Sequence, residues 1–235
     1  MKSKGRKLHA KAAEEREKGN FSLSLDYNDK ALFAYDAEDD SLGFAEGVAC
    51  RSITLRVYAD LHDNRRILIL AKYEMMGAVA IARESGKKQA LAMPLYNLAK
   101  LQEGLGELQD AVSTYEEAVK NIENNPPERH NRPSILADMN VHMATCGYRT
   151  GDKKALERAE KALNKLEEAE EPSTYNKDVW LSGGYMRIAD VLRKDNPGKA
   201  KEYMQKAEQI IDVSPKLKLR KQQWQKLNST MFISS

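Results

Sequence analysis

The sequence predicts an all-α protein, an α-solenoid of about five antiparallel helical hairpins closed by a C-terminal capping helix. Three observations predict it. The 235 residues include 31% charged and 7% aromatic side chains and only 13 Gly and 7 Pro, with abundant Ala, Leu, Glu and Lys, a helix-forming composition ill suited to a β-barrel. Small and apolar residues recur at i, i+3, i+4 and i+7, which gathers them on one face of a 3.6-residue helix. Finally, one frame of such positions returns five times, and hairpins that cannot bury their apolar faces alone do so by stacking on their neighbours.

The first hairpin (5–36) carries the frame at Leu8, Ala12, Gly19, Ser24, Asn28 and Ala31, and the acidic, cap-rich link Asp36–Ser41 follows. The second (41–85) carries Leu55, Tyr58, Ala59, Ala71, Met75 and Ala78, turns at Asp63-Asn64 and stops at Ser85-Gly86. Its stretch Ile67–Ala82 is apolar on nearly every face, so this helix is expected either to be covered on both sides or to meet another chain with its outer face. The third hairpin (88–124) is the clearest, with Leu95, Leu98, Ala99, Ala111, Tyr115 and Ala118 around Gly104–Glu107, read as a two-glycine turn. Ala99 and Ala111 are small where two helices cross, and Tyr115 is large where a gap between hairpins must be filled. Pro94 reads as a first-turn residue or a mild kink.

The loop Asn124–Pro133 separates this hairpin from the fourth (133–170), which carries Asn140, Met143, Ala144, Gly151, Ala155, Ala159 and Ala162. After Glu171-Pro172-Ser173 the fifth (174–213) carries Tyr185, Ile188, Ala189, Ala200, Met204 and Ala207. Its turn, Asp195-Asn196-Pro197, offers an N-cap Asn followed by Pro at the first helical position. Ser214-Pro215 is read as the cap of a last helix, 215–228, with Leu217, Trp224 and Leu227 as its buried stripe. The small residues of the five first helices, Ala12, Ala59, Ala99, Ala144 and Ala189, lie 47, 40, 45 and 45 residues apart, so 1–235 is read as one domain.

In the third hairpin Leu95, Leu98, Ala99, Gly106, Ala111, Tyr115 and Ala118 follow the order leucine, small residue, turn glycine, alanine, aromatic, alanine. This resembles the tetratricopeptide repeat (TPR), and the interval of 40–47 residues resembles its long-repeat members. The resemblance implies a right-handed solenoid whose first helices line a concave face that binds a peptide or protein. Carried over to this chain, that face would hold Arg56, Asp60, Tyr96, Asn97, Lys100, Glu103, His142, Thr145, Arg149, Arg187, Asp190 and Arg193. Such a mixture pairs with carboxylates and with backbone amides. Some members of the family clamp a chaperone's C-terminal carboxylate with a Lys/Asn set. Arg56 and Asn97 fit it, but Asp60 stands where an Asn is expected and Asp138 where a Lys is expected. Two anions repel a carboxylate, which excludes the clamp.

The sequence holds no phosphate loop, dinucleotide fingerprint, zinc spacing or nucleophile elbow, so it is read as non-enzymatic, without metal or cofactor. His142 and Cys146 share a helix face but lack a second pair of ligands. The run Glu167–Glu171 reads as a solvated helix end. Cys50, with Arg51 beside it, lacks a placed base, and both cysteines read as reduced and buried.

The net charge of +3 is uneven: +4 over residues 1–18, +5 over 213–235 and −6 between them. Basic ends raise an alternative function, binding nucleic acid or an anionic surface. The acidic body, and the lack of aromatics interleaved with Arg and Lys, disfavour nucleic acid. No apolar stretch follows the basic start, and the longest apolar runs, Ile67–Ala71 and Met75–Ala82, fall far short of the roughly 20 residues of a membrane helix. A cytoplasmic protein is expected, with a protein or peptide partner. Self-association is expected to use the apolar second hairpin or an end face.

Overall fold

The computed structural model describes residues 3–231; Met1 and Lys2 of the basic start lie outside them. Among the described residues the elements are α1 (Lys4–Glu17), α2 (Phe21–Ala37), α3 (Ser41–His62), α4 (Arg65–Glu84), α5 (Ala92–Leu105), α6 (Leu108–Asn124), α7 (Pro133–Arg149), α8 (Ala155–Glu168), α9 (Thr174–Leu192), α10 (Pro197–Val213) and α11 (Lys218–Met231). They pair as antiparallel hairpins, α1/α2 through α9/α10, and α11 packs on α9 and α10. The chain divides into two compact units, Met1–Pro127 and Glu128–Ser235.

Every second helix presents the frame to the interior. The triplets Ser24/Asn28/Ala31, Ala71/Met75/Ala78, Ala111/Tyr115/Ala118, Ala155/Ala159/Ala162 and Ala200/Met204/Ala207 are all buried. The spacing i, i+4, i+7 stacks the three on one stripe, and the small flanking members let the paired helix approach closely. In the first unit Leu55, Leu68, Met75, Leu101 and Leu105 fill the core around these contacts. In the second, Val141, Leu163, Leu166, Ile188, Leu192 and Ile211 do so. Trp224 and Leu227 of α11, with the buried Leu217 just ahead of it, close that core, and the Trp224 indole donates to Met204 O at 3.2 Å.

Most of the turns share one device. Gly19, Asp39, Asp63, Gly106 and Gly151 have positive φ, and the residue after each donates back five positions: Asn20 to Glu15, Asp40 to Tyr35, Asn64 to Ala59, Glu107 to Gln102 and Asp152 to Gly147, at 2.9–3.2 Å. This left-handed closure satisfies the orphan carbonyls of the ending helix. Asp40 and Asn64 then cap α3 and α4. The fifth hairpin turns differently, with Asn196 capping α10 and Pro197 at its first position.

Three sequence expectations need correction. Gly104 is not part of the turn: α5 runs to Leu105 and Gly106 alone takes the left-handed position. Gly104 instead gives room, since a Cβ there would lie 3.3 Å from Leu68 of α4. Pro94 takes the first of the two positions expected of it, in the first turn of α5, where its missing N–H would have had no intrahelical partner. Ser214-Pro215 forms a turn ahead of α11, which begins at Lys218. Finally, α4 buries one face only, through Leu68, Ala71, Met75, Ala78, Val79 and Ala82. Ile69, Leu70, Tyr73 and Met76 stand exposed, so within this chain the helix is not covered on both sides.

Two features of the first unit lie outside the frame. Tyr35 of α2 is fully buried against glycines: a Cβ at Gly5 of α1 or Gly43 of α3 would come within 2.5 Å of its ring. Between α1, α2 and α3 runs a polar seam. Ser24 Oγ donates to Ala12 O at 2.8 Å and meets Thr54 Oγ1 at 3.0 Å, and Thr54 in turn donates to Cys50 O. Ser52 Oγ closes a similar bond to Ala71 O at 2.7 Å.

These contacts predict opposite outcomes for two glycines. Gly43→Ala drives a methyl into the Tyr35 ring and should destabilise the protein by about 2 kcal/mol, since overpacking typically costs 1–3. Gly77→Ala meets nothing within 4 Å and should stabilise by about 0.5 kcal/mol through helix propensity. Urea unfolding followed by far-UV circular dichroism measures both.

Burial pushes the Tyr35 phenol up to about 12, with the Glu46 and Asp40 carboxylates adding and Arg6 opposing. Tyr185 and Tyr203 are also raised, by burial and by their contacts with Glu167 and Glu160 respectively. Below about pH 10, the unfolded value, both states are neutral and the stability is whole. As pH rises toward 12 the unfolded chain ionises first, so stability falls. Alkaline denaturation curves should show this loss, and Tyr35→Phe should make it shallower.

Candidate functional site

Eleven of the twelve residues expected on a binding face fall on first helices, Arg193 is the C-cap of α9, and the twelve divide between the two units. In the first unit Arg56 of α3 donates through Nη1 to Asp60 Oδ2 at 3.1 Å, one turn on. The Arg56 Nε–H is buried with no acceptor among the described residues, an unmet donor of the kind that warrants a functional explanation. On α5, Tyr96 is only 3% exposed. Its ring packs against Tyr115 with centroids 5.9 Å apart, and the Lys100 ammonium lies 3.9 Å from its centroid. Glu103 is buried and accepts from Tyr115 OH at 2.9 Å. Asn97 donates to Met93 O at 2.9 Å and stays half-exposed with Lys100.

Tyr96 and Glu103 are therefore core groups rather than outward ones. The same correction applies in the second unit to Thr145, which is fully buried. Its Oγ1 donates back along α7 to Val141 O at 2.9 Å and accepts from Arg187 Nε of α9 at 3.2 Å. Arg149 forms an ion pair with Asp190, and Arg193 reaches the same carboxylate at 3.5 Å. His142 Nε2 lies 3.8 Å from Asp138 Oδ1, a buried carboxylate one turn back. The structure thus brings Thr145, Arg149, Arg187, Asp190 and Arg193 together across α7 and α9. Asp60 and Asp138, the residues that exclude the carboxylate clamp, each face a cationic or titratable neighbour on their own helix.

Other chemistry-bearing residues are placed differently from their sequence surroundings. Cys50 and Cys146 are free and buried. The cation near Cys50 is Arg16, 3.6 Å from Sγ, while its sequence neighbour Arg51 turns away to Asp29 and Glu74. Burial pushes the Cys50 thiol up, against the pull of Arg16, so it is protonated and a poor nucleophile at neutral pH. The run Glu167–Glu171 is not simply solvated. The Glu171 side chain is fully buried on Arg132 and accepts from Ser134 Oγ at 2.7 Å, and Glu167 accepts from Tyr185 OH. Among the described residues no group of three or more His, Cys, Asp or Glu could hold a metal ion, and no helix is long and apolar enough to cross a membrane.

No protein-family model and no curated protein matches this sequence. Solved structures do match. A putative kinesin light chain from Podosopora anserina, with nearly identical TPR-like repeats, superposes with a TM-score of 0.54 at 13% identity, covering 97% of each chain. BtubC (BKLC) from P. vanneervenii gives 0.59 at 18% identity over 98% of this chain and 82% of that one. A Rap protein complexed with competence and sporulation factor gives 0.59 at 14% identity over 98% of this chain and 66% of that one. The fold of this chain is TPR-like.

The ion pair that joins α7 to α9 is partly exposed, with side-chain accessibilities of 29% for Arg149 and 25% for Asp190. A pair so hydrated is worth at most about 1 kcal/mol. A double-mutant cycle with Arg149→Ala and Asp190→Ala, read by urea unfolding, should give a coupling energy no larger than that. An incoming carboxylate could then compete for Arg149 at little cost in stability.

Proposed function

We propose that this protein is a non-enzymatic interaction scaffold whose first helices bind an acidic segment of a protein or peptide. The observation that carries this reading is the α7/α9 face, where Arg149, Arg187 and Arg193 gather and where Arg149 and Arg193 both reach the one Asp190 carboxylate. A second carboxylate supplied by a partner would relieve that crowding through charge-assisted, two-pronged hydrogen bonds. In the first unit the half-exposed Lys100 and Asn97 of α5 supply an ammonium and a side-chain amide, suited to a peptide carboxylate and backbone. The Rap protein of similar fold was solved in complex with competence and sporulation factor, which supports a ligand-binding role for this arrangement of helices. The buried free thiols fit a reducing compartment, and the reading places the protein in the cytoplasm.

The basic ends give less support to a nucleic-acid surface. Arg6, Arg16 and Lys18 are engaged with Glu46, Glu17 and Glu14. Near the other end, Arg220 donates to Val179 O and Lys221 pairs with Asp212.

Fluorescence anisotropy with labelled Asp/Glu-rich peptides tests the proposal. Binding should be selective among acidic sequences and should weaken about tenfold or more in an Arg187→Glu/Arg193→Glu variant, the scale of one or two lost charge-assisted bonds. Unchanged affinity in that variant would overturn the site. Tighter binding to labelled single- or double-stranded DNA, lost on deleting 214–235, would overturn the partner class.

A further inference from the structure

The outer face of α4 combines apolar exposure, an open notch and two charges without partners. Ile69, Leu70, Tyr73 and Met76 are 38%, 45%, 62% and 46% exposed. At 100° per residue they fall within one arc, together with Gly77 and Ala80. Gly77 has no atom within 4 Å of where its Cβ would be, so the backbone is bare there. Arg66 and Glu84 lie at the two ends of the same arc, 18 residues apart, which is five full turns and about 27 Å. Both are exposed, and neither has an ion pair or side-chain hydrogen bond among the described residues.

Each of these charges also sits at the wrong end of its helix. Arg66 is in the first turn of α4 and Glu84 is its last residue, so both oppose the helix dipole. Nothing among the described residues compensates them, whereas the neighbouring Arg65, Lys72, Glu74 and Arg83 all have partners. An antiparallel copy of the same helix would compensate them. A two-fold axis across the level of Met75 sets residue i of one helix opposite residue 150 − i of the other. That register places Arg66 against Glu84 twice, once at each end. Tyr73 then falls opposite Gly77, a large knob against a residue with no side chain, and Leu70 opposite Ala80.

We propose that the outer face of α4 pairs antiparallel with the same face of a second copy of this chain, Tyr73 of each seated at Gly77 of the other and Arg66 against Glu84 at both ends. The interface is isologous, as a two-fold axis requires. It leaves the first-helix faces free, so it is independent of the peptide-binding reading.

Sedimentation velocity of the full chain over a dilution series into the high micromolar range tests this, with four variants. The wild type should show a concentration-dependent monomer–dimer equilibrium. Arg66→Glu and Glu84→Arg should each weaken it about tenfold, because symmetry places two like-charge pairs where two attractive ones stood. The double swap Arg66→Glu/Glu84→Arg should restore it, which only this register predicts. Gly77→Leu should weaken association while leaving the circular dichroism spectrum unchanged. Arg66→Glu should also raise the melting temperature of the dilute monomer, since it removes a dipole conflict, which separates lost association from damaged folding. A chain that stays monomeric at every concentration overturns the proposal. So does a dimer that the four variants leave unchanged, and so does a monomer that binds phosphatidylcholine vesicles through Tyr73, in which case the stripe is a lipid-facing surface.

Discussion

The distance at which two helices cross governs the rest of this structure. In each second helix the outer members of the triplet are alanine or serine, from Ser24 and Ala31 to Ala200 and Ala207, and all are buried. Nothing larger fits where backbones come this close. The middle member is free to vary, and it does: Asn28, Met75, Tyr115, Ala159 and Met204. The outer pair holds the spacing constant, and the middle residue fills whatever gap the neighbouring hairpin leaves. The separation of those two tasks explains how hairpins of such different sequence keep one geometry.

That constraint is local in sequence, which is why it could be read there. The alanine spacing, the turn glycines at Gly19, Gly106 and Gly151 and the Asn196-Pro197 cap all act within one or two helical turns. Other features depend on residues that only the fold brings together. Gly5 and Gly43 are ordinary helical glycines until Tyr35 of α2 lies across them. Gly104 looks like half of a turn because two residues later Gly106 is one, yet its role is to admit Leu68 of another hairpin. Cys50 has Arg51 as its sequence neighbour, but consecutive residues on a helix point about 100° apart, and the arginine that reaches it comes from α1.

The candidate face was only partly legible for the same reason. A first helix touches its own hairpin partner on one side and the neighbouring hairpins on others, so its accessible stripe is narrow. Periodicity separates an apolar face from a polar one but does not say which polar positions lie on the flanks. Tyr96, Glu103 and Thr145 are flank residues and are buried, whereas Asn97, Lys100, Arg187 and Arg193 keep some exposure. The polarity of the buried ones is satisfied in ways a single helix does not reveal, as when Tyr115 OH finds Glu103 or Arg187 finds Thr145.

The polar seam between α1, α2 and α3 ties the first two hairpins together by buried hydroxyls, as Arg187 and Thr145 tie the fourth to the fifth. Apolar stripes of alanine and leucine are close to interchangeable, and one hairpin could in principle dock on another's neighbour with small adjustments of volume. The contact of Ser24 with Thr54 and Ala12 O, and that of Ser52 with Ala71 O, are directional and bridge particular elements. Moved along the array, the same side chains would lie buried without partners, at the expense of a desolvated hydroxyl each. Shuffling or grafting the first two hairpins would therefore strand these hydroxyls, since the order of the two in the chain is written into their hydrogen bonds.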